Sequence, residues 1–325
     1  MTLVPTLRLS LDMTLVLSQI EHDGLKINLD TLATIRKDYE QEMAELEVLL
    51  GDLAQEAIGD TPVNLSSPDD RSMLLYSRRV RDKKLWATVF NLGHEVRGAT
   101  RKPKQRKRMK NSEFISSVRG LTDVVYKTVS RHCFDCSGKG RYAPLKKDGT
   151  LGKAIRICKS CGGKGVIYES TGEVAGFKLL PRNPMDIASA GFKTDTETLS
   201  ERLDSMSGAG RCFVKSYIRY NALRTYINTF VEGMENNVDE EGFIHPEFMQ
   251  CVTATGRLSS RKPNFQNMPR GSTFEIRKVV ESRFDNGYIM EGDYSQLEFR
   301  VAGFLAKDEQ AYQDVTDKVD VHSYT

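Results

Sequence analysis

The sequence predicts an α+β chain in which helical segments flank a small cysteine-bearing hairpin and a short mixed region closes the order. Three observations predict it. Apolar residues recur every three or four positions over residues 29–58 and again over 211–234. Two C-x-x-C-x-G-x-G repeats, CFDCSGKG and CKSCGGKG, stand in mid-sequence. An apolar run, Tyr288 to Met290, leads to Asp293, and a second helical pattern follows it. The composition supports a folded chain: of 325 residues, 39% are hydrophobic and 28% charged, which is too apolar for global disorder. No run approaches the ~20 apolar residues of a membrane-spanning helix, so no membrane association is expected. The apolar start, MTLVPTLRLSLDMTLVL, is interrupted by Pro5, Arg8 and Asp12 and lacks a small-residue cleavage site, so it is not read as a signal peptide.

Taken in order, Met13 to Ile20 suggests a short helix closed by the turn His22-Asp23-Gly24. Leu32, Ile35, Tyr39, Met43, Leu46, Leu50, Leu53 and Ala57 then line one face of a long helix over 29–58. Asn28 or Asp30 can cap its start, and Gly59-Asp60-Thr61-Pro62 stops it. NLSSPDD (64–70) carries helix-cap chemistry ahead of another helical stretch. From Arg97 to Lys110 no acidic residue occurs, while eight Lys and Arg crowd together, Arg106, Lys107 and Arg108 among them. Their mutual repulsion and Pro103 predict a loop rather than a helix. Such a run is the footprint of phosphate binding, and equally of a solvated loop or a sorting signal.

The paired cysteines, Cys133/Cys136 and Cys158/Cys161, have the spacing at which two thiolates on a tight turn share one tetrahedral metal, with the second turn completing the set. The glycines after each pair let backbone N–H groups reach the sulfurs. Two disulfides are the alternative, opposed by the missing signal peptide and by Cys212 and Cys251 standing apart. RYAPLKKDGTLGKAIRI between the pairs reads as a hairpin turning at KDGT. The arrangement resembles half of a DnaJ-type zinc module, which implies structural Zn2+, since four sulfurs leave no open coordination position.

Downstream, Asp195-x-Glu197 has the spacing of exonuclease carboxylates but lacks an apolar strand before it. Thr194 and Glu197 are read instead as a capping box. Residues 211–234 form a second strong helical pattern. In the C-terminal quarter, Asp293 at the end of a strand would be held rigidly, with Glu298 turned to the same opening by the following helix.

TGRLSS (255–260), PNFQNMP (263–269), Arg277, DYSQLEFR (293–300) and DVH (320–322) follow one another in the order and spacing of the DNA polymerase I family, family A. The chain closely resembles that family. LDMTLVLSQIEHDGLKIN and NLSSP resemble its thumb entry and thumb loop. The resemblance implies a right-hand polymerase fold, incomplete here: a helical thumb and the first part of an antiparallel-sheet palm, with a small zinc-binding hairpin module inserted. It divides the chain into thumb-like helices (1–95), a basic loop and zinc-module insertion (96–180, the module at 131–166), the remainder of the thumb (181–240) and the first part of the palm (241–325).

Roles follow from the resemblance, residue by residue. Asp293 matches the first catalytic metal aspartate, bridging two Mg2+ ions, and Tyr294 lends a backbone carbonyl to the metal. Ser295, Gln296 and Glu298 fall in the nucleotide-binding motif, where Glu298 crowds the sugar 2′ position. His322 matches a triphosphate contact. Arg257 matches the arginine that senses the primer end in the minor groove, whose acceptors are nearly the same for all base pairs. Asn264, Gln266 and Asn267 match contacts to the template–primer, joined in DNA binding by Arg106, Lys107 and Arg108. The implied partners are template–primer DNA and deoxynucleoside triphosphates. Val280 departs from the family's Phe, and Asn221 and Thr225 replace an Arg and a Lys of the thumb helix.

The family's fingers helix and second metal aspartate have no match here. The expectation is therefore the N-terminal half of a split enzyme, inactive without a second chain, in the cytoplasm of a bacterial or phage-infected cell. The competing expectation is a non-catalytic DNA-binding or replication accessory module.

Overall fold

The computed structural model describes residues 3–97, 100–144, 154–269 and 274–316. These residues fall into two compact units, one within Met1–Leu32 and Met234–Thr325, the other within Ala33–Gly233. In the smaller unit, residues 3–32 group with the C-terminal part of the chain. Helices and antiparallel two-stranded ladders make up the regular structure of the described residues.

The helix Leu29–Ile58 forms over the full predicted span. Asn28 is its cap: Oδ1 accepts the Thr31 N–H at 2.8 Å. Gly59, at φ 81°, ends it; a Cβ there would stand 2.1 Å from the Thr128 carbonyl oxygen. Asp60 then takes the Ser130 N–H and hydroxyl, each at 2.7 Å, which ties the helix end to the strand Tyr126–His132. Within the larger unit, Glu42 holds Arg219 of the helix Gly208–Tyr226 bidentately at 2.6 and 2.7 Å.

The larger unit's core is aromatic: Trp86, Phe90, Phe114, Phe192 and Phe213 are fully buried. Burying such a ring is worth roughly 1.5–3 kcal/mol. Trp86 Nε1–H, which could not be left unpaired at that depth, donates to the Ala188 carbonyl at 2.9 Å. Phe114 and Val118 of the helix Asn111–Leu121 belong to this core, so the segment after the basic run is anchored to the larger unit.

Several local expectations are corrected. The first helix runs Leu3–Asp23, not from Met13, since Pro5 falls in the first turn, where no intrahelical N–H partner is required. The basic run is not a loop throughout: His94–Arg97 pairs antiparallel with Thr100–Pro103, so cross-strand hydrogen bonds accommodate the charges that a helix would not. The cap before Thr196–Ser200 is Asp195, whose Oδ1 accepts the Thr198 N–H at 2.9 Å. Thr194 is buried and instead accepts from Arg71 Nε at 3.2 Å. The helix over 211–234 breaks into Gly208–Tyr226, a π-turn at Ile227–Val231 and Glu232–Glu235.

The smaller unit is joined by short ladders. Leu25–Lys26 pairs with Phe243–Ile244, Ile27 bridges Val280, and Glu247–Met249 pairs with Ser259–Arg261. The expected strand at Tyr288–Met290 does not form. That segment has no regular structure and no ladder partner among the described residues, and Tyr288 and Met290 are 91% and 94% exposed. A strand needs a neighbour for its backbone N–H and C=O groups, and apolar sequence alone cannot supply one. Asp293 is therefore exposed on an irregular segment rather than held at a strand end. Among the described residues no helix is long and apolar enough to cross a membrane.

Candidate functional site

The two motifs that carry the resemblance meet in the smaller unit. Arg257 lies in an irregular turn closed by Thr253 Oγ1, which donates to the Arg257 carbonyl at 2.6 Å. Its guanidinium pairs with Glu298, in the first turn of the helix Leu297–Ala306. Both side chains are more than 70% exposed, so the pair contributes at most about 1 kcal/mol and its groups remain available to a ligand. Gln296 caps that helix in the left-handed conformation, φ 52°, and Arg300 Nε donates back to the Ser295 carbonyl at 2.7 Å. Asp293, Tyr294 and Ser295 precede it, all exposed.

Asn264 Oδ1 accepts the Gln266 N–H at 3.2 Å and the Ser260 hydroxyl at 3.1 Å, so it shapes the PNFQNMP turn, while Gln266 and Asn267 are exposed. Arg277 has a role that its motif match alone did not reveal. Its Nε donates to the Pro269 carbonyl, another nitrogen reaches the Met268 carbonyl, and a third pairs with Glu291 at 3.1 Å. It thereby ties the PNFQNMP turn to the approach to Asp293. His322 and the DVH motif lie outside the described residues, as does the KDGT turn. Among the described residues, Asp293 is not part of a group of three or more converging His, Cys, Asp or Glu side chains.

The four cysteines do converge. Cys133, Cys136, Cys158 and Cys161 are buried, with their sulfurs within 4.8 Å of one another. Cys133–Cys158 and Cys136–Cys161 each stand at 3.7 Å. That is far beyond a disulfide bond of about 2.05 Å. A tetrahedral ion with metal–sulfur bonds of about 2.3 Å sets sulfurs about 3.8 Å apart, so the donor set fits a metal. As the glycine pattern predicts, Gly140 and Gly165 N–H groups donate to Cys136 and Cys161 sulfurs at 3.2 Å each. Burial pushes the Cys133 thiol up to about 12. Burial acts upward on Cys161 as well, but the Gly165 N–H and the neighbouring Cys158 outweigh it and bring that thiol down to about 7.

The basic run borders a cleft of about 1230 Å³ in the larger unit, between residues 91–94, 104–109 and 183–189. Lys104, Arg106, Lys107 and Arg108 line it, with Leu92, Met109 and Met185, and no acidic side chain does. Partial burial lowers the pKa of Arg106. Lys107 reaches Glu113 at 3.6 Å.

Residues 176–325 match the family model described as DNA polymerase family A. The chain is 27% identical to the DNA polymerase of Bacillus phage SP01 over 88% of its own length and 25% of that protein's. It is 31% identical to DNA polymerase I of Streptococcus pneumoniae serotype 4 over 45% of this chain and 16% of the relative. With DNA polymerase I of Mycobacterium leprae it shares 39% identity over 54% of this chain and 18% of the relative. The solved POL domain of Pol1 from M. smegmatis, in complex with DNA primer-template and dNTP, superposes with a TM-score of 0.47 at 20% identity, over 95% of this chain and 35% of that one. The chain thus spans a quarter or less of the length of these curated relatives. The family A resemblance read from the motifs is borne out.

Proposed function

We propose that this chain, whose residues 176–325 carry family A DNA polymerase sequence, serves template-directed nucleotidyl transfer to a primer 3′ end. The observation that carries the reading is the meeting of the TGRLSS turn and the DYSQLEFR segment, with Arg257 on Glu298. Both side chains are exposed and weakly paired, so DNA and nucleotide can replace each as the other's partner. Arg257 would enter the minor groove at the primer terminus. Glu298 would stand against the sugar 2′ position, and Ser295 and Gln296 would border the nucleotide. Asn264, Gln266 and Asn267 would hold the template–primer. His322 would contact the triphosphate.

Asp293 and the Tyr294 carbonyl are the residues proposed to ligate Mg2+. Held there, Mg2+ would supply charge stabilisation to the attacking and leaving oxygens of the displacement. The remaining carboxylate and the fingers would come from the other elements of the family fold, in the same polypeptide or in a second one. The cysteine cluster would hold structural Zn2+, and the acid-free cleft at Arg106, Lys107 and Arg108 would take the DNA backbone. A cytoplasmic site of action is part of the proposal. The same cleft also favours a second reading, a DNA-gripping accessory module without catalysis.

Primer extension separates the two. The chain is assayed alone and combined with a polypeptide carrying the rest of the family fold. Extension only in the combination, lost a hundredfold or more with Asp293→Asn, is the expected result. Such a loss corresponds to the several kcal/mol that a metal site supplies. Extension by the isolated chain at full rate, or an active Asp293→Asn combination, would overturn it. DNA retention with no extension in any combination would favour the accessory module.

A further inference from the structure

The cysteine hairpin carries more than its metal ligands. Between Cys136 and Tyr168 the sequence has eight Lys and Arg against one acidic residue. Two-stranded pairing sets Arg141 opposite Ile157 and Tyr142 opposite Arg156, all four exposed. Directly paired residues share a face, so each face of this ribbon presents one cation beside one apolar side chain. Lys139 and Lys159 flank it, exposed as well. Among the described residues no salt bridge reaches Lys139, Arg141, Arg156 or Lys159. On the first cysteine turn Phe134 is 79% exposed, with the Arg131 guanidinium 5.7 Å from its ring centre. A ring presented to water on a metal-type turn contributes nothing to a core.

Exposed rings interleaved with unpaired cations are what a single nucleic-acid strand needs: cations for phosphates and a flat face for bases. Of the nearby carboxylates, Asp135 accepts from the Ser160 hydroxyl and Glu169 pairs with Arg131, so the charge complementarity is carried by Lys139, Arg141, Arg156 and Lys159. We propose that the cysteine hairpin is a single-strand nucleic-acid site, in which Phe134 and Tyr142 stack bases while Arg141, Arg156, Lys139 and Lys159 hold the phosphates. This site is separate from the cleft at Arg106–Arg108 and does not depend on the nucleotidyl-transfer reading.

The test measures fluorescence anisotropy of a labelled oligothymidylate with the full zinc-loaded chain across a salt series, zinc content being determined for every variant. Arg141→Gln combined with Arg156→Gln should lower the slope of log affinity against log salt by about 1.4, two single-strand phosphate contacts being lost. Phe134→Ala should weaken binding about tenfold with the slope unchanged, as expected for one lost stack. Phe134→Leu, which keeps bulk without the ring, should weaken it similarly. Parental affinity and slope in these variants, at parental zinc content, would overturn the site. Equal binding of a duplex through the same residues would overturn the single-strand assignment. Primer extension is not the readout, so failure of the catalytic reading leaves this result intact.

Discussion

Two arginine–carboxylate pairs differ in everything except their sequence formula. Arg202 and Asp186 are buried to 5% and 12% side-chain exposure, and Arg202 also donates to the Leu180 carbonyl at 3.0 Å. Arg257 and Glu298 stand in solvent. Removing one partner of a buried pair strands the other charge and costs about 3–5 kcal/mol, whereas a surface pair is worth about 0–1. Arg202→Ala should therefore lower unfolding stability by about 3–5 kcal/mol, read as a fall in the urea midpoint at constant slope. A change below about 1 kcal/mol would show that Asp186 finds water when Arg202 is gone. Arg257 was legible as functional through its motif. Arg202 was not legible at all, because a lone arginine near an acidic helix start says nothing about burial.

At the scale of elements, the cysteine turns were the most legible part of the chain. Their chemistry is local: pair spacing, then glycines that admit an N–H to sulfur contact. Gly165 sits at φ 75°, and a Cβ on it would meet the Gly138 carbonyl oxygen at 2.1 Å. Gly140 meets Gly163 in the same way. Gly165→Ala should thus displace the turn and reduce bound zinc, measured by metal content and thiol titration. A chelator should likewise expose the hairpin to protease while sparing the helix Gly208–Tyr226. Normal zinc content in the variant, or unchanged proteolysis on chelation, would contradict the metal assignment. The run Tyr288–Met290 was misread as a strand because pairing is not local: the apolar pattern was right, but no ladder partner stands beside it among the described residues.

For the molecule as a whole, the unpaired C-terminal segment leaves large apolar groups in water. Phe284, Tyr288, Met290, Tyr294, Phe304 and Leu305 are each more than 70% exposed. Scattered exposed apolar residues are ordinary, but this many within one short stretch form an apolar surface, for which the proposed function supplies a cover in the remaining elements of the family fold. Sedimentation of the purified chain should show concentration-dependent self-association, reduced by Phe304→Lys and by a polypeptide carrying the rest of the family fold. A monodisperse chain at high concentration would count against that cover.

By itself, the sequence determined the long helix, the cysteine turns and the family A motifs, all of which rest on spacing along the chain and on side-chain chemistry within a few residues. Tertiary structure alone decided that residues 3–32 group with the C-terminal part, that Arg277 ties the PNFQNMP turn to the approach to Asp293, and that Arg257 meets Glu298. Those outcomes depend on contacts between residues far apart in the chain and on burial, neither of which periodicity encodes.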